Sequence, residues 1–455
     1  MRKIRRIYET TQEINFLSPQ KEFYLYWKRY LASELGQIYQ AIPWDQIVKS
    51  LKLKDNRKGR FSQFSPQGKL ALMFLKAYTG LSDRKLYEHL NGSIHYQLFC
   101  GIFPGPEKLE DFKIISRIRT QLARKLNIRV VQDVLAKAWK PYMENTNIVL
   151  EDATCYESYL RFPTNVKLLW ESIDWMHGQI KLTCKRLKIP TPRTKYLEQK
   201  EKYFVYMRNR KKSWKQTTKR TRSLLYLLNK LIEELDKIED QHRIHLGFPE
   251  KYYEKRRVIR KVLSQQQEMF STGNHSVPDR IVSISKSYIR PIVRGKEVKK
   301  VEFGAKVNMI QFDGINFIEH LSFDPFNEGP RLIESVRYSR TLFGKITHIS
   351  ADDIYASNAN RKWCTQQKIT TNFKRKGRAG EHEEHRQIMA AELRKERATR
   401  MEGSFGTEKQ HYSLDKIKAR IKQNENLWIF FGVHTANAVR IAKRLAQEGL
   451  SKAIA

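Results

Sequence analysis

Ile148-Val149-Leu150-Glu151-Asp152 is an apolar run that closes on acids, and reading it as a short buried strand decides the fold. A second run of the same kind, Ile346-Thr347-His348-Ile349-Ser350-Ala351-Asp352, also closes on an acid. Between them, Asp313-Gly314 is a hairpin turn signal joining Lys306-Val307-Asn308-Met309-Ile310 to Ile315-Asn316-Phe317-Ile318, so Asp313 reads as a turn residue rather than a ligand. Tyr156 to Phe162 reads as a second strand ended by Pro163, and Arg331 to Leu342 as a helix. The order is strand with Asp152, helical insert, strand hairpin, helix, strand with Asp352, then a basic helical tail from Glu381 to Ala446 that carries Glu402. That order predicts an α/β fold in which two parallel neighbours hold acids at their carboxyl ends.

Outward from this core, residues 18 to about 127 read as helical. Ser18-Pro19 and Ser65-Pro66 are helix starts, with Ser as cap and Pro at the first helical position. Gly80 stops the second helix, and Ser82 caps the next, Asp83 to Leu90. Helix, tight turn and helix suit a reader of DNA, with Arg84, Lys85, Glu88 and His89 facing out and Leu86 and Leu90 facing in; an ordinary helical hairpin gives the same layout. Glu110 to Leu126 is a further helix carrying Lys113, Arg117, Arg119, Arg124 and Lys125.

The insert is strongly basic. Lys211-Lys212-Ser213-Trp214-Lys215 and Lys219-Arg220-Thr221-Arg222 interleave cations with an aromatic and form a candidate track for a nucleic-acid backbone. Leu224, Leu228, Leu231, Leu235 and Ile238 recur at alternating steps of four and three, a coiled-coil-like seam that packs inside the chain or joins two copies. Strand character returns at Arg280 to Arg294.

Charge names the class of partner. Lys plus Arg number 86 against 48 Asp plus Glu, a net charge of +38, which points to a polyanion and to salt-dependent binding. Against that background Asp152, Asp352 and Glu402 are hard oxygen ligands of the kind Mg²⁺ or Mn²⁺ prefers. Two such ions about 4 Å apart can clamp the attacking and leaving oxygens of a phosphodiester displacement. Cys100, Cys155, Cys184 and Cys364 form no CxxC pair, so neither a zinc site nor a disulfide framework is suggested, and reduced, cytosolic thiols are the simplest reading. The basic start, Met1-Arg2-Lys3-Ile4-Arg5-Arg6, is followed by no long apolar segment, so neither a signal peptide nor a membrane span is expected.

With these residues in hand, the chain resembles the bacterial insertion-sequence DDE transposases over nearly its full length. Asp152-Ala153-Thr154 with Pro163-Thr164-Asn165 and Leu168-Leu169 is similar to the family's first-aspartate region. Asp352-Asp353-Ile354-Tyr355 with Asn358-Ala359-Asn360-Arg361 resembles the second, where Tyr follows the Asp by three residues; that spacing selects Asp352 over Asp353. Glu402-Gly403-Ser404-Phe405-Gly406 with Lys409, Tyr412 and Leu414 resembles the glutamate block, and Phe64 to Phe103 is similar to an InsH-type N-terminal domain. The resemblance implies an RNase H-like catalytic core at 145–455, interrupted by a basic helical insertion at about 165–275 and preceded by a helical DNA-binding domain at 1–140. It implies Asp152, Asp352 and Glu402 as catalytic metal ligands, with two Mg²⁺ or Mn²⁺ ions. It further implies DNA contacts from Lys409, Tyr355 and Arg361, to which the charge pattern adds Lys211, Lys212, Lys215, Lys219 and Arg220, and the helix layout Arg84 and Lys85. Many relatives carry an Arg four residues before the glutamate; here that position is Ala398, with Arg397 and Arg400 on either side.

Two functions follow as expectations. The first is a transposase that cleaves at the element's ends and joins them to target DNA, working as a homodimer on double-stranded terminal inverted repeats in the bacterial cytoplasm, in association with the nucleoid. The second is a relative that binds those ends without catalysis.

Overall fold

A computed structural model describes residues 18–55, 62–104, 108–242, 248–274, 276–293 and 301–454. The basic Met1–Arg6 stretch and Arg294 lie outside the described residues. The chain forms two compact units: residues 1–158, 305–322 and 326–455, and residues 159–304 and 323–325.

Among the described residues, the first unit opens with eight helices: α1 Ser18–Leu31, α2 Glu34–Gln40, α3 Trp44–Ser50, α4 Pro66–Thr79, α5 Asp83–Gly92, α6 Ile94–Phe99, α7 Lys113–Ala123 and α8 Ile128–Trp139. Local chemistry sets their ends. Ser65 Oγ accepts from the Gly68 N–H with Pro66 at the first position, Gly80 closes α4 at φ +63°, and Ser82 Oγ accepts from the Lys85 N–H. Leu86 and Leu90 are buried and Arg84, Lys85, Glu88 and His89 exposed, as the pattern predicts.

The strand β1, Ile148–Ser158, follows. The second unit then holds α9 Asn165–Leu187, α10 Tyr196–Arg208, α11 Trp214–His242, α12 Glu250–Thr272 and the short β2 Pro291–Val293. β3 Val301–Phe312 leads back into the first unit, followed by β4 Ile315–Ser322, α13 Leu332–Phe343, β5 His348–Ala351, α14 Asn358–Gln366, β6 Thr370–Thr371, α15 Glu383–Glu396, α16 Glu402–His411, β7 Lys416–Ile417 and α17 Lys422–Ile454. The mixed α/β class read from the sequence is observed.

The sheet order is β2-β3-β1-β5-β6, with β4 on β3 and β7 on β1. β3 and β4 form the expected hairpin, and both turn residues are left-handed, Asp313 at φ +47° and Gly314 at φ +80°. β1 and β5 run parallel in the register Ile148↔His348 to Glu151↔Ala351, so Asp152 and Asp352 are the next residues on adjacent strands. α17 lies across α2, α4, α7 and β4, with Phe431 edge-on to Phe74 at 4.9 Å between centroids. Gln132 of α8 ties the helices to the sheet, donating to the Ile318 carbonyl and accepting from the Ile318 N–H. The eight leading helices and the sheet therefore share one hydrophobic core.

Several expectations are corrected here. Asp152 does not end its strand. β1 runs on to Ser158, because Glu157 and Ser158 pair in parallel with Lys416 and Ile417 of β7, and no separate strand forms over Tyr156–Phe162. Of Arg280–Val293 only β2 is extended. The tail is not continuous, since β7 separates α16 from α17. In the second unit the Leu224–Ile238 seam is buried in that unit's own core, between α11, α9 and α12, which settles its packing inside the chain. Arg220 on the same helix is buried too, with its guanidinium donating to Gln199 Oε1 at 2.8 Å.

Candidate active site

The strand's period of two sorts β1 into two faces. Asp152, Thr154, Tyr156 and Ser158 point one way and meet Arg397, Lys409, Glu408 and Glu425 in turn. Glu151 points the other way, into a buried polar layer where it accepts from Asn308 Nδ2 at 2.9 Å and from the Ser335 hydroxyl. Alternation alone thus separates two adjacent acids, one beside Arg397 and one in the interior.

β1 changes parallel partner from β5 to β7 between residues 151 and 157, and Asp152 sits in that opening. Asp352 follows β5, and its Oδ1 caps the short turn Asp353–Tyr355 through the Asp353 N–H at 2.8 Å. Glu402 opens α16. The three acids come from separate segments and share one cation: Arg397 lies 2.8 Å from Asp152, 3.6 Å from Asp352 and 3.9 Å from Glu402. Asp353 has no part in this cluster.

The backbone before Glu402 explains how Arg397 arrives there. Arg397–Met401 is a π turn, in which the Glu402 N–H donates to the Arg397 carbonyl five residues back. In an α-helix the residue over Glu402 would be Ala398, four positions earlier. The extra residue of the π turn hands that place to Arg397. Its neighbours are engaged elsewhere, Arg394 with the Asn372 carbonyl and Arg400 with Glu396 and Asp313.

Asp152 and Arg397 are each 17% exposed, whereas Asp352 and Glu402 stand more than half exposed. Burial pushes the Asp152 carboxyl up to about 6, opposed by the Arg397 guanidinium and by the Ala153 N–H. Burial pushes Glu151 higher, to about 8, so it holds its proton at neutral pH.

Behind the acids lie two polar layers. In one, Asn308 bridges Glu151 and Glu319, Arg331 pairs with Glu319, and the Tyr355 hydroxyl donates to Asn308 Oδ1 at 2.5 Å. In the other, Glu408 accepts from Tyr156 and from Asn316 Nδ2, while Ser404 Oγ accepts from Gln311 and Asn316. These bonds fix α16, so that Glu402 projects outward and Lys409 Nζ reaches Thr154 Oγ1 at 3.0 Å beside Asp152.

The remaining predicted residues scatter. Tyr355 is fully buried and bonds into the interior, and Arg220 is buried as well, so neither stands on the surface where DNA was expected to meet it. Arg361 is half-buried and bonds the Ala356 and Lys374 carbonyls. Arg84 and Lys85 are exposed on α5, and Lys211, Lys212, Lys215 and Lys219 are exposed in the helical unit. Sequence reasoning passed over a cationic cleft lined by Lys374, Arg375, Arg386 and Arg394, along the segment that leads into Arg397. Its signal was present in Lys374-Arg375-Lys376-Gly377-Arg378.

Among the described residues, no three His, Cys, Asp or Glu side chains stand close enough together to hold a metal ion as they are placed. The acid set suits a hard divalent ion in donor chemistry and in converging on one cation. Its side chains are arranged around Arg397 instead. Among the described residues, no helix is long and apolar enough to cross a membrane, and all four cysteines are buried free thiols.

The chain matches the family described as Transposase domain (DUF772) over residues 27–121 and the family described as Transposase DDE domain over residues 349–434. The second match takes in Asp352, Arg397, Glu402 and Lys409. No curated protein and no solved structure matches the chain. DDE transposases generally use divalent metal ions. The two matches, in this order along one chain, support an insertion-sequence DDE transposase.

Proposed function

We propose that this chain cleaves DNA at the ends of its element and transfers the freed strand to target DNA, using Asp152, Asp352 and Glu402 as the catalytic acids of an RNase H-like core. The observation that carries the reading is the convergence of three acids from three separate segments on one point within 4 Å of a single guanidinium. The sheet order and the parallel β1–β5 pair support the RNase H-like assignment. Divalent ions, when held by the three acids, supply Lewis-acid activation of the phosphodiester.

The chain's own groups do the rest. The three carboxylates hold charge at the reacting phosphate's side of the cleft. Lys409, fixed against Thr154, meets a DNA phosphate next to them. The helical unit's exposed Lys211, Lys212, Lys215 and Lys219 bind backbone without regard to sequence. The helices over 1–140 form the proposed DNA-binding domain, in which Arg84 and Lys85 on α5 contact the element's end. The catalytic domain spans 145–455 with its insertion at about 165–275, and a homodimer brings two element ends together. A metal-dependent cleavage and joining assay on DNA bearing the element's terminal inverted repeats tests the proposal. Binding without cleavage would instead support an inactive end-binding relative.

A further inference from the structure

We propose that Arg397 is the resident counter-ion of the acid set, and that a divalent ion binds only after displacing its guanidinium. The inference rests on the functional reading above, because it takes Asp152, Asp352 and Glu402 as the ligands.

Three observations carry it. First, one guanidinium reaches all three acids, at 2.8, 3.6 and 3.9 Å. Second, it is held at its tip alone: Nη1 and Nη2 face the acids, whereas the buried Nε has no hydrogen-bond partner. Loss of the acids' attraction therefore frees the whole group. Third, the π turn sets Arg397, and not Arg394 or Arg400, over Glu402.

A guanidinium and a divalent cation repel strongly at contact distance, so they cannot share one focus of carboxylates. In the metal-free protein Arg397 neutralises acids that would otherwise repel one another. The same pairing lowers the apparent affinity for the ion, since the ion binds only the fraction of molecules whose guanidinium has swung out. Arg397 acts here as a positioning residue.

The test is a Mn²⁺ titration of the full chain without DNA, following free Mn²⁺ by electron paramagnetic resonance. It compares wild type, Arg397→Ala, Arg397→Gln and Arg397→Lys, with Asp152→Asn as background, and takes thermal midpoints with and without Mn²⁺. The expected result is at least tenfold tighter Mn²⁺ binding in Arg397→Ala and Arg397→Gln, with Arg397→Lys in between. Without metal those variants melt lower than wild type, and Mn²⁺ raises their midpoints by more. An arginine that merely props the site gives the opposite sign, because its loss loosens the acids and weakens Mn²⁺ binding. Unchanged or weaker binding in Arg397→Gln, still above the Asp152→Asn background, overturns the inference and leaves the functional reading standing. No binding above that background in any variant overturns both. Should Arg397→Ala fail to fold, the order of wild type, Lys and Gln decides.

Discussion

The cations beside the acids of the sheet unit and those at the start of α11 in the helical unit are used in opposite ways. Around the acids of the sheet unit, Arg397, Arg394, Arg400, Arg331 and Arg361 are each committed to a carboxylate or a carbonyl. In the helical unit, Lys211, Lys215 and Lys219 stand in solvent beside Trp214, which is 78% exposed. The net charge of +38 is therefore of two kinds. Cations fixed by partners define positions, which a reaction needs. Cations on an open face supply attraction that any polyanion can use. Arg220 marks the border: it lies in the same basic run as Lys219, yet it is buried and bonded to Gln199.

The sharpest way to break this contrast is to remove an acid. Asp152→Ala and Glu402→Ala should each lower cleavage by on the order of 10³-fold or more, equivalent to about 4 kcal/mol of transition-state stabilisation, while DNA binding persists. Single-turnover cleavage and a filter-binding assay read the two effects separately. Loss of binding along with cleavage would mean that the acids support the fold and not the chemistry.

Neutralising Lys211, Lys212, Lys215 and Lys219 together should do the reverse. Affinity for specific and random DNA should fall alike, and the slope of log K against log salt should drop by up to about 3 to 4, roughly 0.9 per lost phosphate contact. Cleavage at saturating DNA should hold. An unchanged slope would return these lysines to a solvated surface.

Glu151 sharpens the contrast within the sheet unit. Its folded carboxyl is raised from 4.5 to about 8, so between those values the unfolded chain is ionised while the folded chain keeps its proton. Unfolding then releases a proton, and stability falls as pH rises through that window, by up to about 1.4 kcal/mol per unit. Glu151→Gln should flatten this dependence in denaturant melts at pH 6 and pH 8.5. A wild-type slope in the variant would place the proton elsewhere. The smallest expected effect is that of Tyr355→Phe, which removes the bond to Asn308 and should cost about 1 to 2 kcal/mol of stability with little change in DNA affinity. A large loss of DNA binding would restore Tyr355 as a contact.

Much of this was legible in the chain, and the parts that were not share a cause. Ser65, Gly80, Ser82 and Asp313-Gly314 act through bonds and dihedrals within a few residues, so their reading transfers directly to structure. The paired acids were legible because each follows an apolar run. The true length of β1 was not, because its last pairs depend on Lys416–Ile417, a strand of two residues far along the chain. The choice between Arg397 and Arg400 stayed open in the sequence because helical counting points to Ala398, and only the π turn shifts the register. Asn308, Gln311 and Asn316 read as ordinary polar positions of a hairpin, yet all three are buried and bonded to side chains of α13, α16 and β4.

The most direct test sets two neighbours against each other. Asp352 lies in the acid cluster and Asp353 outside it, one residue apart on the same turn. Single-turnover cleavage of DNA bearing the element's terminal repeats, with Mg²⁺ or Mn²⁺, should be abolished by Asp352→Asn and nearly unaffected by Asp353→Asn. Cleavage that survives Asp352→Asn and fails in Asp353→Asn would contradict the site.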